Sequence, residues 1–491
     1  MQGRQLQKPA IRYATTSSPK VGEDASWNLL KSRFRWPKTI PKWTYLILSP
    51  HIENEKIPDI MREFGKILQQ TGVGVVPPTT PITTLTASDL DNMATKLDRY
   101  LSEKVQGGVK LIFVVLPSPN SPYYNVVKRL GDIKYGVATI CMNVKKLTKT
   151  NGQDQYLRNI SMKVNLKIGG GNHVVAQEHL NLISPNNTMI VGVDVTHPSP
   201  GSNALAPSIA AMVASIDSDL GQWPAVLGVQ NEARQEMVSG LTAMLESRIR
   251  LWQTKNNKLP ENILVYRDGV SEGQYPIVID VEFPALRRAC QVVYGESYKE
   301  GHYPRFTIIV VGKRHHTRFY PANPKNAFIK GSPTDPKNVR NGNTKPGTVV
   351  DRGVTEGQNW DFFLQAHSPI LGTARPCHQF VLHDEIFRAK YAKTTPQGYR
   401  NVADVVEEVT QALCYTFGRA TRAVSLCTPA YYADLACERA RRYFDHLYSP
   451  AAHGIAPDGA AHGNSRPDIV SAVDGGNVDI HENLKNSMFY I

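Results

Sequence analysis

The chain lacks any apolar run near the eighteen or so residues of a membrane span; its longest, such as Leu111–Leu116, are only strand-sized. Its first residues, MQGRQLQKPAIRY, contain no apolar signal-peptide core, so neither a helical membrane protein nor a secretory leader is expected. Cysteine is scarce, six in 491 residues at positions 141, 290, 377, 414, 427 and 437, with no CxxC pair and no histidine at zinc-finger spacing. That excludes a disulfide framework and a structural zinc site and favours free thiols in a reducing compartment. The expected location is cytoplasmic, with the nucleus second. No internal repeat is present, and 41% hydrophobic residues exclude disorder as the main state.

Acidic residues are short in one place only. Residues 1–180 carry 25 Lys/Arg against 13 Asp/Glu, whereas 181–491 are nearly balanced at 31 against 30, so the net charge of +13 sits almost wholly in the first third. A localised positive field points to a polyanionic partner. At 491 residues the chain has room for two to four domains.

Residues 1 to about 40 are rich in Lys, Arg, Ser, Thr and Pro without periodicity and read as a linker or tail. Strand and helix patterns then alternate: strand 45–48, helices 57–70 and 88–105, strand 110–116, helix 121–135, strand 137–144, helix 154–168. This predicts an α/β unit with a Rossmann-like parallel sheet over 41–180. After Gly169-Gly170-Gly171-Asn172 a second unit, 181–491, opens with strands 188–195, 207–216 and 224–230, then helix 233–254, strand 262–267, helix 278–294 and strand 306–311. Strands at 361–366 and 378–383 and helices at 402–418 and 429–446 follow. Three antiparallel strands, then helix, strand, helix, strand, is the order of a ribonuclease H-like fold.

Asp194 ends the strand Met189-Ile190-Val191-Gly192-Val193, and Asp268 ends Ile263-Leu264-Val265-Tyr266. Carboxylates at the carboxyl ends of neighbouring strands converge on one edge. Such a pair can hold divalent cations for phosphodiester hydrolysis, and Mg²⁺, or Mn²⁺ in its place, suits hard oxygen ligands. Taken singly each has a plainer explanation, Asp194 as a turn residue before Thr196-His197-Pro198 and Asp268 as the first half of an Asp-Gly turn.

The segments VGVDVTHPSPG, PSIAAMVASID, QNEARQEMV, LVYRDGVSEGQY, VGKRHHTRFY and TPAYYADLACERARRYF occur in order and resemble the PIWI domain of eukaryotic Argonaute proteins; VVLPSPNSPYYNVVKRLGD and LRNISMKVNLKIGGGN resemble the MID domain before it. The resemblance spans residues 25–491, and a Piwi sequence profile is expected to begin near 110. It implies a catalytic tetrad of Asp194, Glu236, Asp268 and Asp434, with Asp194, Asp268 and Asp434 as metal ligands. Many eukaryotic relatives have His where this chain has Asp434, and either ligates a divalent cation. The implied activity is cleavage of a target RNA paired to a small guide RNA, with a guide-binding platform that does not cleave as the alternative; no membrane partner is expected.

Helical spacing places Tyr124 with Lys128, and Lys163 with Lys167, each pair on one face. The resemblance assigns these four, with Cys141 and Arg439, to the guide 5′-phosphate and first base. Where many relatives have Gln before Cys141, this chain has Ile140, so one side-chain donor is missing. Contacts to the guide backbone are implied at Lys313, Arg318, His367, Arg375, Arg419, Ser425 and Tyr431. The apolar end Met488-Phe489-Tyr490-Ile491 is expected to be buried where the two units meet.

Overall fold

A computed structural model describes residues 2–14, 18–40, 42–48, 55–75, 83–202, 206–230, 235–328, 342–448, 473–474 and 477–491. In the first unit, β1 (Trp43–Ile47), β2 (Thr83–Thr84), β3 (Leu111–Leu116) and β4 (Ala138–Asn143) form a parallel sheet in the order β2-β1-β3-β4. β3 is six consecutive apolar residues because both of its faces are covered. Helix α1 (Ile57–Gln70) buries Ile57, Met61, Phe64, Ile67 and Leu68, spaced for one face, against the core containing Phe113. Helix α2 (Leu90–Gln106) is capped by Asp89, which accepts from the Asn92 amide at 2.8 Å, and packs Met93, Leu97 and Leu101 against Ile112 and Val114 on the other face. The expected helix 121–135 is instead α3 (Tyr123–Arg129) followed by a π-turn, Leu130–Lys134. Helix α4 (Gln153–Lys167) closes the unit.

The second unit is built on β5 (Thr188–Thr196), β6 (Ile209–Ala214), β7 (Ala225–Val229), β8 (Asn262–Asp268), β9 (Arg305–Gly312), β10 (Thr348–Val350), β11 (Asp361–Gln365) and β12 (Cys377–Asp384). The order β7-β6-β5-β8-β9 has β5 antiparallel to β6 and parallel to β8, and β8 parallel to β9, as in ribonuclease H. β12, β11 and β10 extend one end antiparallel. Helices α5 (Leu241–Asn256) and α6 (Phe283–Tyr294) cover one face, and α7 (Val402–Leu413) and α8 (Thr428–Arg441) the other.

Strand alternation decides which residues meet α8. Met189, Val191 and Val193 lie in the core with α5 and α6, whereas Ile190 lies in the core with Ala430, Ala433 and Ala436 of α8. Asp194 shares the parity of Ile190, and Asp268 that of Leu264 and Tyr266, so both acids stand on the α8 side. Gly192 lies in this row too. A side chain there would overlap the Pro429 carbonyl at the start of α8, so glycine is what lets the helix carrying Asp434 come down onto the sheet. Gly192→Ala should therefore destabilise the protein by about 1–3 kcal/mol or more, by overpacking. Cleavage should fall more steeply than the melting temperature does, because α8 is displaced; unchanged melting would refute this close approach.

The described part of the first forty residues, without periodicity, is nonetheless packed. Arg4–Gln5 adds a strand beside β10, and Arg4 pairs with Asp351 at 2.9 Å, Asp404 at 3.1 Å and Glu407. Ile11–Arg12 pairs with Val174–Val175, the Trp27 indole donates to the Tyr13 hydroxyl at 2.9 Å, and Phe34 is fully buried. This segment lies across surfaces made by others, so its buried positions follow no single period. Two helix boundaries also differ from expectation. The helix expected at 233–254 begins at Leu241, because the Val238 and Ser239 amides donate to Glu282 and Gln230 side chains instead. The helix expected at 402–418 stops at Leu413, before a turn in which the Gly418 amide donates to the Tyr432 hydroxyl. No helix among the described residues is long and apolar enough to cross a membrane.

Candidate active site and anion pocket

Asp268 ends β8, whereas Asp194, expected at a strand end, lies two residues inside the adjacent parallel strand β5, which runs on to Thr196 in its ladder with β6; the register of β5 and β8 pairs Val193 with Arg267, and Asp434 reaches the same side from α8. Burial, and then the charges of Asp268 and Asp434, hold the Asp194 carboxyl well above the usual carboxylate range. Burial and Asp434 push Asp268 up to about 7, and burial followed by Glu438 raises Asp434. Each of the three is thus destabilised as an anion, chiefly by loss of water and secondarily by acidic neighbours.

Glu236 lies in the loop before α5, not in the helix. Its Oε1 is 3.4 Å from where a Cβ on Gly269 would stand, and Asp194 Oδ1 is 3.6 Å from that point, so Glu236 faces the same space as the aspartates. Gly269 has φ +87°, which favours glycine, and a Cβ there would lie in ordinary van der Waals contact with both acids. Two residues that sequence reasoning missed hold Glu236 in place. His197 Nε2 lies 2.7 Å from Glu236 Oε2, with its Nδ1 2.9 Å from the Ser208 hydroxyl; Arg267 donates to Glu236 Oε1 at 3.0 Å and to its backbone carbonyl at 2.6 Å. Arg267 is 1% exposed and also pairs with Glu282. The signal for it was parity: beside Asp268 in a strand, it must point to the opposite face. His197 was hidden by its reading as part of a turn. A third, exposed Arg314, offsets the charge of Asp268 and Asp434.

Asp194, buried, and Asp268 and Asp434, half-buried, flanked by Glu236, offer the oxygen donors that hard divalent cations take. A second acidic cluster does not fit. Asp351, Asp404 and Glu407 bring their ligand atoms within 4.8 Å of one another, but Arg4 already pairs with all three and Arg400 with the two aspartates. That cluster anchors the N-terminal strand.

Between the two units lies a cavity of about 610 Å³ lined by Tyr124, Lys128, Ile140, Cys141, Lys163, Arg419 and Arg439, among others. Lys128, 2% exposed, donates to the Thr139 carbonyl at 2.7 Å and its hydroxyl at 2.8 Å, and its ammonium lies 5.5 Å from the Tyr124 ring centre. Burial, then Arg419, Lys128 and Arg439, push the Lys163 ammonium down to about 7. Lys167 is not in the lining: it is buried, donates to the Phe489 carbonyl, and burial pulls its pKa far down. Arg439 donates to Asp132 at 2.8 Å, to the Tyr124 hydroxyl at 3.4 Å, and to the Phe489 and Tyr490 carbonyls at 2.8 and 3.2 Å. The C-terminal residues 488–491 are buried here, with the Tyr490 hydroxyl donating to the Trp223 carbonyl.

The residues expected along the guide backbone divide. Lys313 donates to the Ser425 hydroxyl, and burial, then Lys313 and Arg422, depress His367 to about 4. Tyr431 stacks on Phe417 with ring centres 4.6 Å apart, and Arg375 is exposed. Arg318 donates to the carbonyls of His315 and Thr317 within its own turn. Arg419 lies in the cavity wall rather than apart from it.

The Piwi domain family matches residues 111–445. Protein argonaute MEL1 of Oryza sativa subsp. japonica is 32% identical over 99% of this chain, which covers 45% of that protein. The chain thus spans about half the length of the curated relatives it matches. The structure of the N. crassa QDE-2 AGO MID-PIWI domains is 31% identical, with a TM-score of 0.62, covering 93% of this chain and 98% of that one. Kluyveromyces polysporus Argonaute with a guide RNA is 25% identical, with a TM-score of 0.79, over all of this chain and 56% of that one. The ribonuclease H-like sheet, the parallel-sheet unit before it and a Piwi match over more than half the sequence agree: the chain belongs to the Argonaute family and comprises its MID and PIWI domains.

Proposed function

We propose that this protein holds the 5′-phosphorylated end of a small guide RNA in the cavity between MID and PIWI and cleaves an RNA strand paired to that guide. The observation that carries the reading is the convergence of Asp194, Asp268 and Asp434 on the α8 side of the sheet, with Glu236 held beside them by His197 and Arg267. The similar Kluyveromyces polysporus protein, solved with a guide RNA, supports the binding half.

Asp194, Asp268 and Asp434 would hold Mg²⁺ or Mn²⁺, with Glu236 completing the acidic set. The chemistry such cations supply when bound is activation of water and neutralisation of charge at a phosphate. The chain's own contribution is position. Burial keeps the carboxylates poorly solvated, so they bind cations strongly; Arg267 and His197 fix Glu236; Arg314 adds positive charge at the open side, where a phosphate backbone arrives. Base pairing supplies the sequence choice, and the protein recognises A-form shape and phosphates. We place the protein in the cytoplasm, since its six cysteines are all free, as a reducing compartment favours.

The test is a cleavage assay with a 5′-phosphorylated guide, a complementary target and Mg²⁺. Guide-dependent cutting at a single site is expected. Tight guide binding without cutting would reduce the protein to a binding platform, and cutting without guide would make it an unguided nuclease.

A further inference from the structure

Serine or threonine followed by proline recurs along the chain, and the structure separates these pairs by exposure. Among the described ones, Ser121, Ser368 and Thr428 are buried, and Ser118, Ser184 and Thr395 are half-buried. Ser18 and Ser199 are exposed, and of these two Ser199 alone meets a cation among the described residues: Arg441 Nη2 donates to its hydroxyl at 3.3 Å. The backbone at Ser199 is fixed. It opens a turn in which the Ser202 amide donates to the Ser199 carbonyl at 3.1 Å, with Pro200 second and Gly201, φ +87°, third, the residues that a type II turn favours. The Ser202 hydroxyl donates to the Tyr448 carbonyl at 3.3 Å, and the Arg441 guanidinium lies 4.8 Å from the Tyr448 ring centre. The turn is thus held beside the end of α8, with Ser199 and Pro200 at the surface.

Arg441 has a second partner. Its Nη1 lies 3.4 Å from Glu438, which also faces Arg442 at 3.9 Å and lines the cavity between the domains. One guanidinium is therefore shared between a neutral hydroxyl and a carboxylate. A phosphate on Ser199 would redivide it, because phosphoserine carries about −1.5 to −2 charge and a guanidinium fork holds phosphate oxygens in parallel pairs. We propose that Ser199 is a phosphorylation site, that Arg441 receives its phosphate, and that Glu438, released from Arg441, then weakens the hold on the guide end. In the transfer, Ser199 Oγ bonds to the γ-phosphorus of a nucleoside triphosphate held by a proline-directed protein kinase. The bond from that phosphorus to the bridging oxygen breaks, the nucleoside diphosphate leaves, and the hydroxyl proton passes to the kinase's base. Only the consequence for the guide rests on the guide-binding reading above.

The full chain is treated with a proline-directed kinase and ATP, and the modified residue is located by peptide mass spectrometry. Phosphate at Ser199, absent from Ser199→Ala, is expected; phosphate elsewhere only, or none, overturns the site. Phosphoserine is then encoded directly at position 199, which gives a uniform protein. It should bind a 5′-phosphorylated guide about three- to tenfold more weakly than the unmodified chain at one fixed salt concentration, a modest loss because Glu438 is 43% exposed. Unchanged or tighter binding overturns the regulatory half. Glu438→Gln should remove most of the loss, since the released carboxylate is gone; an undiminished loss overturns the route through Glu438. Melting supplies a readout without guide: phosphoserine should lower the melting temperature of Arg441→Gln more than that of the parent, because there it lacks its cation. Equal shifts overturn Arg441 as the receiver. If the unmodified chain does not hold the guide, the guide reading fails, while mass spectrometry and melting still decide the site.

Discussion

Asp268→Asn is expected to lower target cleavage by about a thousandfold or more, a loss on the order of 4 kcal/mol in transition-state stabilisation. Guide affinity should stay unchanged. Asn has the volume of Asp, so the strand end keeps its packing, but one negative charge leaves a group of acids whose charges act on each other. Stability supplies a readout independent of activity. Without divalent cation the variant should melt no lower than the parent, since a buried and repelled carboxylate has been neutralised. Adding Mg²⁺ or Mn²⁺ should raise the melting temperature of the parent more than that of the variant, because ligand binding to the folded state alone stabilises it. Cleavage retained in Asp268→Asn would remove the carboxylate site from the mechanism, while equal cation stabilisation would place the metal elsewhere.

Arg439→Met should cost about 3–5 kcal/mol of stability, as removal of one partner from a buried ion pair does. Arg439 joins the domains: it pairs with Asp132 of MID, 0% exposed, while lying on the PIWI helix α8, and it holds the Phe489 and Tyr490 carbonyls of the tail. Its loss leaves Asp132 with the Tyr443 hydroxyl at 2.8 Å and without an ion pair among the described residues. The double variant Arg439→Met with Asp132→Asn should therefore regain much of the stability. It should not regain affinity for a 5′-phosphorylated guide, because the support for Tyr124 and the tail is still missing. If the second substitution restores nothing, the ion pair is not what holds the two domains together at this point.

The fold was legible wherever one period ruled a segment. The alternation of strands and helices, the apolar spacing of α1 and α2 and the order of elements along the second unit followed from side-chain patterns alone. Asp194 near the end of β5 and Asp268 at the end of β8 were also legible, because each follows an apolar run. What escaped were residues whose role depends on a remote partner. Arg267 and His197 gain meaning only because a loop brings Glu236 between them. Arg4 lies hundreds of positions from the acids that hold it.

The anion pocket shows the same division. Sequence spacing put Lys163 and Lys167 on one helical face, but a face is wide enough to serve two environments: Lys163 opens on the cavity while Lys167 is sealed beneath the C-terminal tail. By itself, the sequence determined the element order, the strand-end acids and a concentration of positive charge in MID, because local periodicity and composition suffice for these. Only the tertiary structure decided which cations are engaged and which are free, since that depends on carbonyls and carboxylates brought together from distant parts of the chain.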